Sequence, residues 1–305
     1  MNNRFYELQF EIENACLLDC IHCSSAEMRQ RGVRNYSDVD LLNFLSLFQA
    51  KVHIYFTGGE PLLYENLMEL CNQITAQNKR AEVGLYTTGN WVEGKPITEN
   101  LSRRMMQSGI VDCYFSIYSD REDEHDEWTA TKGSLANTIE SIKELKRSGI
   151  AAKAHLVLNK FNQSKINQVI SFCQEIGMEE VRILKLTPSG NAKIHWGKIG
   201  IPIDEQSRII SQLIHDRRHH SVRLSFSGYP TLYPCRSWEN AVGCQAGINL
   251  LYIDAEGYVF PCACTKRNPS KFAIGHITEL DKISEYLVSK ENVVNNEVCL
   301  NELVD

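Results

Sequence analysis

The 305-residue chain is 43% hydrophobic and 23% charged, the balance of an ordinary globular protein with room for one large domain and a small one. Its net charge of −6 argues against a nucleic-acid partner, and the one dense basic run, Arg217, Arg218, His219 and His220, reads as the C-terminal cap of a helix. No run of 18 apolar residues occurs and MNNRFYELQF lacks a secretory apolar stretch, so a cytoplasmic protein with no membrane partner is expected, whose eleven cysteines point to metal or redox chemistry rather than disulfides.

Tyr6, Leu8, Phe10 and Ile12 alternate with polar residues and predict a first strand. The strand runs into CLLDCIHC, where Cys16, Cys20 and Cys23 are separated by three residues and then two. A [4Fe–4S] cube has four irons, and each needs a ligand. Three closely spaced thiolates hold three of them and leave the fourth open to a small molecule. A zinc site and three unrelated core cysteines are the competing readings. Zinc usually takes four ligands, and no nearby fourth Cys or ligand-spaced His pair accompanies this run.

Ser37 is the expected N-cap of a helix carrying Leu41, Leu42, Leu45 and Phe48. A second strand, Val52 to Thr57, ends in TGGEP, Thr57 to Pro61, where two glycines let the backbone approach a ligand closely. A helix with Leu63, Leu67, Leu70, Cys71 and Ile74 on one face follows. Further pairs are strand Val83 to Thr87 with helix Asn100 to Gln107, strand Val111 to Tyr118 with helix Leu135 to Arg147 after a charged loop, and strand Ala151 to Leu158 with helix Lys165 to Ile176. Ser134 is the expected cap of the Leu135 helix, and His125 and Asp126 fall in the charged loop, where they could pair with substrate or close the loop. Strand Val181 to Leu186 completes six units without a clear sixth helix. Repeated βα units imply a parallel sheet with helices outside, and ligands bind at its strand C-termini. The repeat count suits an open barrel or a doubly wound sheet. Cys71, Cys113 and Cys173 lie among apolar residues and read as buried core thiols.

The pattern changes after Thr187. A barrel over 1–200, a bridging helix and linker over 201–230 and a cysteine-rich domain over 231–305 are expected, with His215 on the bridging helix. Between Cys244 and Cys262, Leu250 to Ile253 and Tyr258 to Phe260 read as strands around a turn at Asp254 to Gly257, a hairpin that brings its end thiols together. Cys235, Cys264 and Cys299 are also in this region. A zinc knuckle would suit the same ligands.

The cysteine run, TGGEP one βα unit later, and SIYSDREDEHDEWTATKGSL at 116–135 resemble the radical S-adenosylmethionine superfamily over nearly the whole chain. The resemblance implies a partial (βα)6 TIM-like barrel of α/β class with a small C-terminal cysteine-rich β-hairpin and helix domain. It implies an enzyme in which Cys16, Cys20 and Cys23 hold a [4Fe–4S] cluster and S-adenosylmethionine binds the open iron. Reductive cleavage would then give a 5′-deoxyadenosyl radical. Gly58, Gly59, Glu60 and Pro61 resemble the family's amino-group motif, and His22 the residue against the adenine, unless it is an ordinary loop residue. Thr88, Ser116 and Asn159 resemble contacts to the methionine carboxylate and ribose; turn chemistry is their other reading. LTPSGNA at 186–192 resembles the close of the family's sixth strand.

The C-terminal cysteines resemble a SPASM or shortened twitch module. The dense downstream cysteine run of a full SPASM domain is absent, so one auxiliary [4Fe–4S] cluster is expected on Cys235, Cys244, Cys262 and Cys299. Cys264 competes for the fourth place; left free, it could act as a redox-active thiol or hydrogen-atom donor. The 116–135 segment resembles enzymes that act on peptides, which makes a maturase of a ribosomally made peptide the first functional expectation, yielding a cross-link, a thioether or an inverted stereocentre. Cys16 lies too near the start for a preceding leader-binding domain, so a separate leader-peptide-binding partner is expected. The electron donor would be a flavodoxin or ferredoxin. The alternatives are a small-molecule dehydrogenase acting on an amino-sugar or aminocyclitol alcohol, and a non-catalytic two-cluster electron-transfer protein.

Overall fold

Alternation in the first strand, β1 (Phe5–Glu13), sorts its side chains to two environments. Tyr6, Leu8, Phe10 and Ile12 are buried in the main apolar core, where Phe10 packs edge-on to Phe44 and Tyr6 to Phe48. After Phe5 the odd positions are acidic or amide residues, and Gln9 and Glu11 line the interior of the barrel. The computed structural model describes residues 5–26, 34–229 and 245–289. Its α/β fold continues with α1 (Asp38–Leu45), β2 (Lys51–Gly58), α2 (Leu67–Gln77), β3 (Ala81–Thr87) and α3 (Glu99–Gln107). Next come β4 (Ile110–Ser116), α4 (Glu122–Thr129), α5 (Ser134–Arg147), β5 (Ala151–Leu158), α6 (Ile166–Glu175) and β6 (Glu180–Lys185). The chain then forms α7 (Ile203–Asp216), β7 (Arg223–Ser227), β8 (Leu250–Ile253), β9 (Tyr258–Phe260), β10 (Gly275–His276) and α8 (Leu280–Ser289).

Strands β1 to β7 run parallel, each paired with its neighbour in chain order. The expected hairpin is β8 and β9, and β8 pairs parallel with β1 on the sheet's other side, Phe10 opposite Ile253. The C-terminal segment thus extends the barrel's own sheet. Ser37 caps α1 as expected, in a capping box with Asp40. Cys71, Cys113 and Cys173 are fully buried, and burial pushes the Cys71 and Cys173 thiols up to about 12.

The structure corrects four local expectations. The charged loop after β4 contains a helix, α4, so His125 and Asp126 are helical rather than in a loop. Gly133, not Ser134, is the N-cap of α5, and Asp126 does the capping: its carboxylate accepts from the Leu135 backbone N–H at 3.1 Å and the Ser134 hydroxyl at 2.9 Å, as well as from the Gly133 N–H. Leu63 belongs to a separate 3₁₀ turn, Pro61–Leu63, ahead of α2. The 201–230 segment supplies both the sixth outer helix, α7, and a seventh parallel strand, β7. That strand is only five residues long and half polar, which is why periodicity alone did not show it.

The lumen is polar and layered. Near the strand N-termini, Asp112 accepts hydrogen bonds from His53 (3.2 Å), Tyr55 (3.0 Å) and the Lys153 ammonium. Burial raises its carboxyl, but the His53 bond and the two basic groups outweigh this and bring it down to about 2. One layer higher, Arg182 lies over the Tyr114 ring at 4.4 Å, with His155 against the same ring at 4.4 Å. These layers close the lower lumen and leave the strand C-terminal end open.

Candidate active site

The cysteine loop is positioned mostly through its backbone. The Asp19 and Ile21 N–H groups donate to the Thr129 and Trp128 carbonyls at the end of α4, at 3.2 and 3.0 Å. On the other side Asn191 donates twice, its side-chain amide to the Cys20 carbonyl (3.1 Å) and its backbone N–H to the Cys23 carbonyl (3.0 Å). Gly190 makes this approach possible: its φ is +53°, and a Cβ there would meet the Cys23 carbonyl oxygen at 2.4 Å. The loop is therefore clamped between the segments after β4 and β6, with Cys16, Cys20 and Cys23 all facing one cavity.

The TGGEP run meets the loop's other end. The Gly59 N–H donates to the Glu13 carbonyl (2.6 Å) and the Glu60 N–H to the Ala15 carbonyl (2.7 Å). A Cβ on Gly59 would sit 2.0 Å from the Ala15 oxygen, so this glycine is required by the contact with the residue before Cys16. The Glu60 carboxylate is fully buried, accepting from both Thr87 and Thr88 hydroxyls at 2.7 Å, the Thr88 N–H at 2.8 Å and the Leu62 N–H at 3.2 Å. It ties the end of β2 to the end of β3. Burial outweighs these bonds and raises its pKa.

A second buried carboxylate, Glu11, joins β1 to the C-terminal hairpin. It accepts from Tyr252 (2.5 Å), Lys266 (2.6 Å), Ser25 (2.9 Å) and the Ala255 N–H (3.0 Å). Lys266 also donates to Ser25, two residues after Cys23, at 2.9 Å. Burial raises the Glu11 carboxyl, but the Lys266 charge and the three side-chain hydrogen bonds outweigh it, and the pKa is lowered. Sequence reading missed this cluster, and it placed Asn191 in the LTPSGNA run without assigning it a contact to the cysteine loop. The signal available was the run of polar odd positions in β1, Glu7, Gln9, Glu11 and Glu13, which helices outside the sheet leave facing the lumen.

The cavity encloses about 1890 Å3. Besides the three cysteines, His22, Gly58, Gly59, Thr88, Ser116 and Cys264 line it. His22 is stacked on Trp128 (5.0 Å between ring centroids, 28°) and edge-on to Tyr118. Three of the expected S-adenosylmethionine contacts are not among its lining. Glu60 is engaged as described, and Pro61 opens the 3₁₀ turn. Asn159 is fully buried, its side chain accepting from the Phe161 and Asn162 N–H groups and donating to the Val157 carbonyl, so turn chemistry is the role the structure gives it. His125 is likewise spent inside the protein, between Ser134 and the Ser116 carbonyl, and burial pushes its imidazole down to about 4. Cys262 is buried beside Ala246 and Leu250. Cys235, Cys244 and Cys299 lie outside the described residues.

These residues fit a cluster and its ligand. Among the described residues no three His, Cys, Asp or Glu groups are placed to hold a single metal ion, whereas a cluster gives each thiolate its own iron. Thr57, Thr88 and Ser116 line the same cavity as the cysteines and carry hydroxyls of the kind an amino acid moiety would need.

The comparisons agree with this arrangement. Residues 10–173 match the family model described as the Radical SAM superfamily. The AdoMet-dependent heme synthase of Oleidesulfovibrio alaskensis is 22% identical over 92% of this chain and 75% of its own. The mycofactocin maturase MftC of Mycobacterium tuberculosis is 26% identical over 84% of this chain and 63% of its own. The crystal structure of Streptococcus suis SuiB bound to S-adenosylmethionine superposes with a TM-score of 0.72 at 19% identity, covering 95% of this chain and 68% of that one. A family match over more than half of the chain, carried by a cysteine loop and glycine run on one cavity wall, establishes that this chain belongs to the radical SAM superfamily, whose members use a [4Fe–4S] cluster and S-adenosylmethionine.

Proposed function

We propose that this enzyme modifies a ribosomally made peptide, forming a cross-link, a thioether or an inverted stereocentre. The observation that carries the reading is the cavity. At about 1890 Å3 it exceeds the roughly 300–1,000 Å3 of small-molecule sites, so room for an extended chain remains beside S-adenosylmethionine. The likeness to MftC, named for maturation, and to SuiB, whose structure is also known with the precursor peptide SuiA, supports it. When bound, the cluster and S-adenosylmethionine supply a carbon radical able to take a hydrogen atom from an unactivated C–H bond. The protein's part is to hold the cysteine loop through Asn191 and α4, and to exclude water below the reacting carbon with the packed lower lumen.

We extend the reading to one auxiliary [4Fe–4S] cluster in a domain over 231–305, held by Cys235, Cys244 and Cys262 with Cys299 or Cys264. It would accept an electron from the substrate or bind a substrate thiolate. A flavodoxin or ferredoxin would reduce the first cluster, and a separate partner would carry the leader peptide.

The test is anaerobic incubation with candidate precursor peptides, S-adenosylmethionine and reductant, followed by mass spectrometry for 5′-deoxyadenosine and peptide mass change. A second reading, a small-molecule substrate, is favoured by the likeness to heme synthase. A two-hydrogen loss on an aminocyclitol, with every peptide unchanged, would replace the first reading by the second. For the auxiliary cluster, protein with Cys16, Cys20 and Cys23 all changed to Ala should retain about four irons after reconstitution. Almost none retained removes that cluster from the proposal.

A further inference from the structure

Below the cysteine loop the lumen presents hydrogen-bonding groups that the protein leaves poorly matched. Arg182 lines the cavity, yet its side chain is only 11% exposed. Its five N–H groups find the Tyr86 hydroxyl at 3.5 Å and the Glu7 and Glu180 carboxylates at 3.6 Å each, at or beyond the limit of a hydrogen bond. Those carboxylates are engaged elsewhere. Glu7 accepts from Gln9 at 2.5 Å and Tyr86 at 3.2 Å, and Glu180 pairs with Arg223 and Ser225. His155, against the same Tyr114 ring, also lines the cavity, and its buried Nε2 has no hydrogen-bond partner among the described residues. Burial and the neighbouring guanidinium hold that ring neutral, so one of its nitrogens carries a hydrogen and the other a lone pair. A buried guanidinium fork whose partners among the described residues are one hydrogen bond at 3.5 Å and two ion pairs at 3.6 Å keeps N–H groups for the two oxygens of a carboxylate. The wider field agrees. Six lysine and arginine side chains line the cavity against four carboxylates, in a chain whose net charge is −6.

We propose that the lumen floor between Arg182 and His155 recognises a carboxylate carried by the substrate. On the peptide reading, on which this rests, it belongs to an acidic side chain or to the peptide's C-terminus. Glu7 remains the counter-ion of Arg182 and keeps it in place when the floor holds only solvent.

The experiment is equilibrium dialysis of the anaerobic holoenzyme, saturated with S-adenosylmethionine, against three probes. N-acetylglutamate amide carries a side-chain carboxylate, N-acetylalanine a terminal one, and N-acetylglutamine amide neither. Charge-assisted bonds imply that one acid binds roughly tenfold tighter than the glutamine probe. In R182Q that preference should collapse, and in H155Q it should shrink with the fold intact by thermal melting. Equal binding of all three probes to the wild type overturns the proposal without recourse to any variant, as does a preference that survives both substitutions. Lengthening the preferred acid to a peptide separates the two readings. Acid preference without any gain from length sinks the peptide reading and leaves the site standing. A gain from length without acid preference does the reverse.

Discussion

Glu11 and Glu60 stand at the open ends of two adjacent strands, equally buried, and the protein treats their charges in opposite ways. Around Glu60 every donor among the described residues is neutral and comes from the barrel itself, within 28 residues along the chain. Around Glu11 one donor is an ammonium from Lys266, 255 residues away, brought in by the segment that follows the C-terminal hairpin. Burial alone favours the protonated acid, and a cation inside the same enclosure reverses that preference. The Glu60 region is a local brace between β2 and β3. The Glu11 region is a joint between the cysteine loop and the C-terminal segment, and it holds only if both are in place.

The comparison can be broken most forcefully at Lys266. Lys266→Met leaves a buried anion without its counter-ion, and the expected cost is about 3–5 kcal/mol by urea unfolding under anaerobic conditions. Adding Glu11→Gln should restore a large part of it. A Lys266→Met cost no greater than that of Glu60→Gln would mean the joint is no stronger than the brace. Glu60→Gln itself exchanges an acceptor for an amide facing several N–H and O–H donors, and about 1–3 kcal/mol is expected in the same measurement.

Lowering the pH sharpens the contrast through its sign. The pKa of Glu11 is lowered in the fold, so its contribution is complete above the free value of 4.5 and is lost as pH falls through the lowered value. The pKa of Glu60 is raised, so its ionisation penalty is absent in acid and develops as pH rises from 4.5 through the raised value. The cost of Glu11→Gln should therefore shrink towards acid pH, and the cost of Glu60→Gln should shrink towards neutral pH. Unfolding curves for both variants across that range read the two slopes, and slopes of the same sign would refute the distinction.

The smallest expected effect is at Asn191. Asn191→Ala keeps the backbone bond to Cys23 and removes the one to Cys20, worth about 1 kcal/mol. Global stability should hardly change, while the reconstituted cluster should bleach faster in air. Unchanged bleaching would show that the backbone bonds hold the loop without the Asn191 side chain.

Much of this site was legible before any coordinates. The Cys16, Cys20 and Cys23 run and the TGGEP run were expected at the ends of the first two strands, and the structure has both there, with the three cysteines, Thr57, Gly58 and Gly59 lining one cavity. The β8 and β9 hairpin was readable residue by residue, because its strands are short, apolar and separated by a turn around Gly257. Gly59 lines the cavity, and the structure adds a reason for glycine there that the sequence did not show: the Ala15 carbonyl leaves no room for a side chain. The α4 helix escaped because its first turn is entirely acidic and its apolar residues are few, so no period emerges from the sequence. Asn159 and His125 were read as polar residues near a site, and both proved to be committed to backbone and side-chain partners next to them.

The sequence by itself determined the βα order, the outward apolar face of each strand and the placement of Cys16, Cys20 and Cys23 in one loop after the first strand. Each of these depends on residue type and spacing along the chain, which local geometry converts directly into position. Only the tertiary structure decided which buried polar residues are spent and which remain available. Whether a carboxylate such as Glu11 meets a lysine from the far end of the chain, or a guanidinium such as Arg182 finds acceptors only at 3.5 Å and beyond, depends on closing the sheet around a lumen. No local pattern encodes that closure, because the partners it brings together are dozens to hundreds of residues apart.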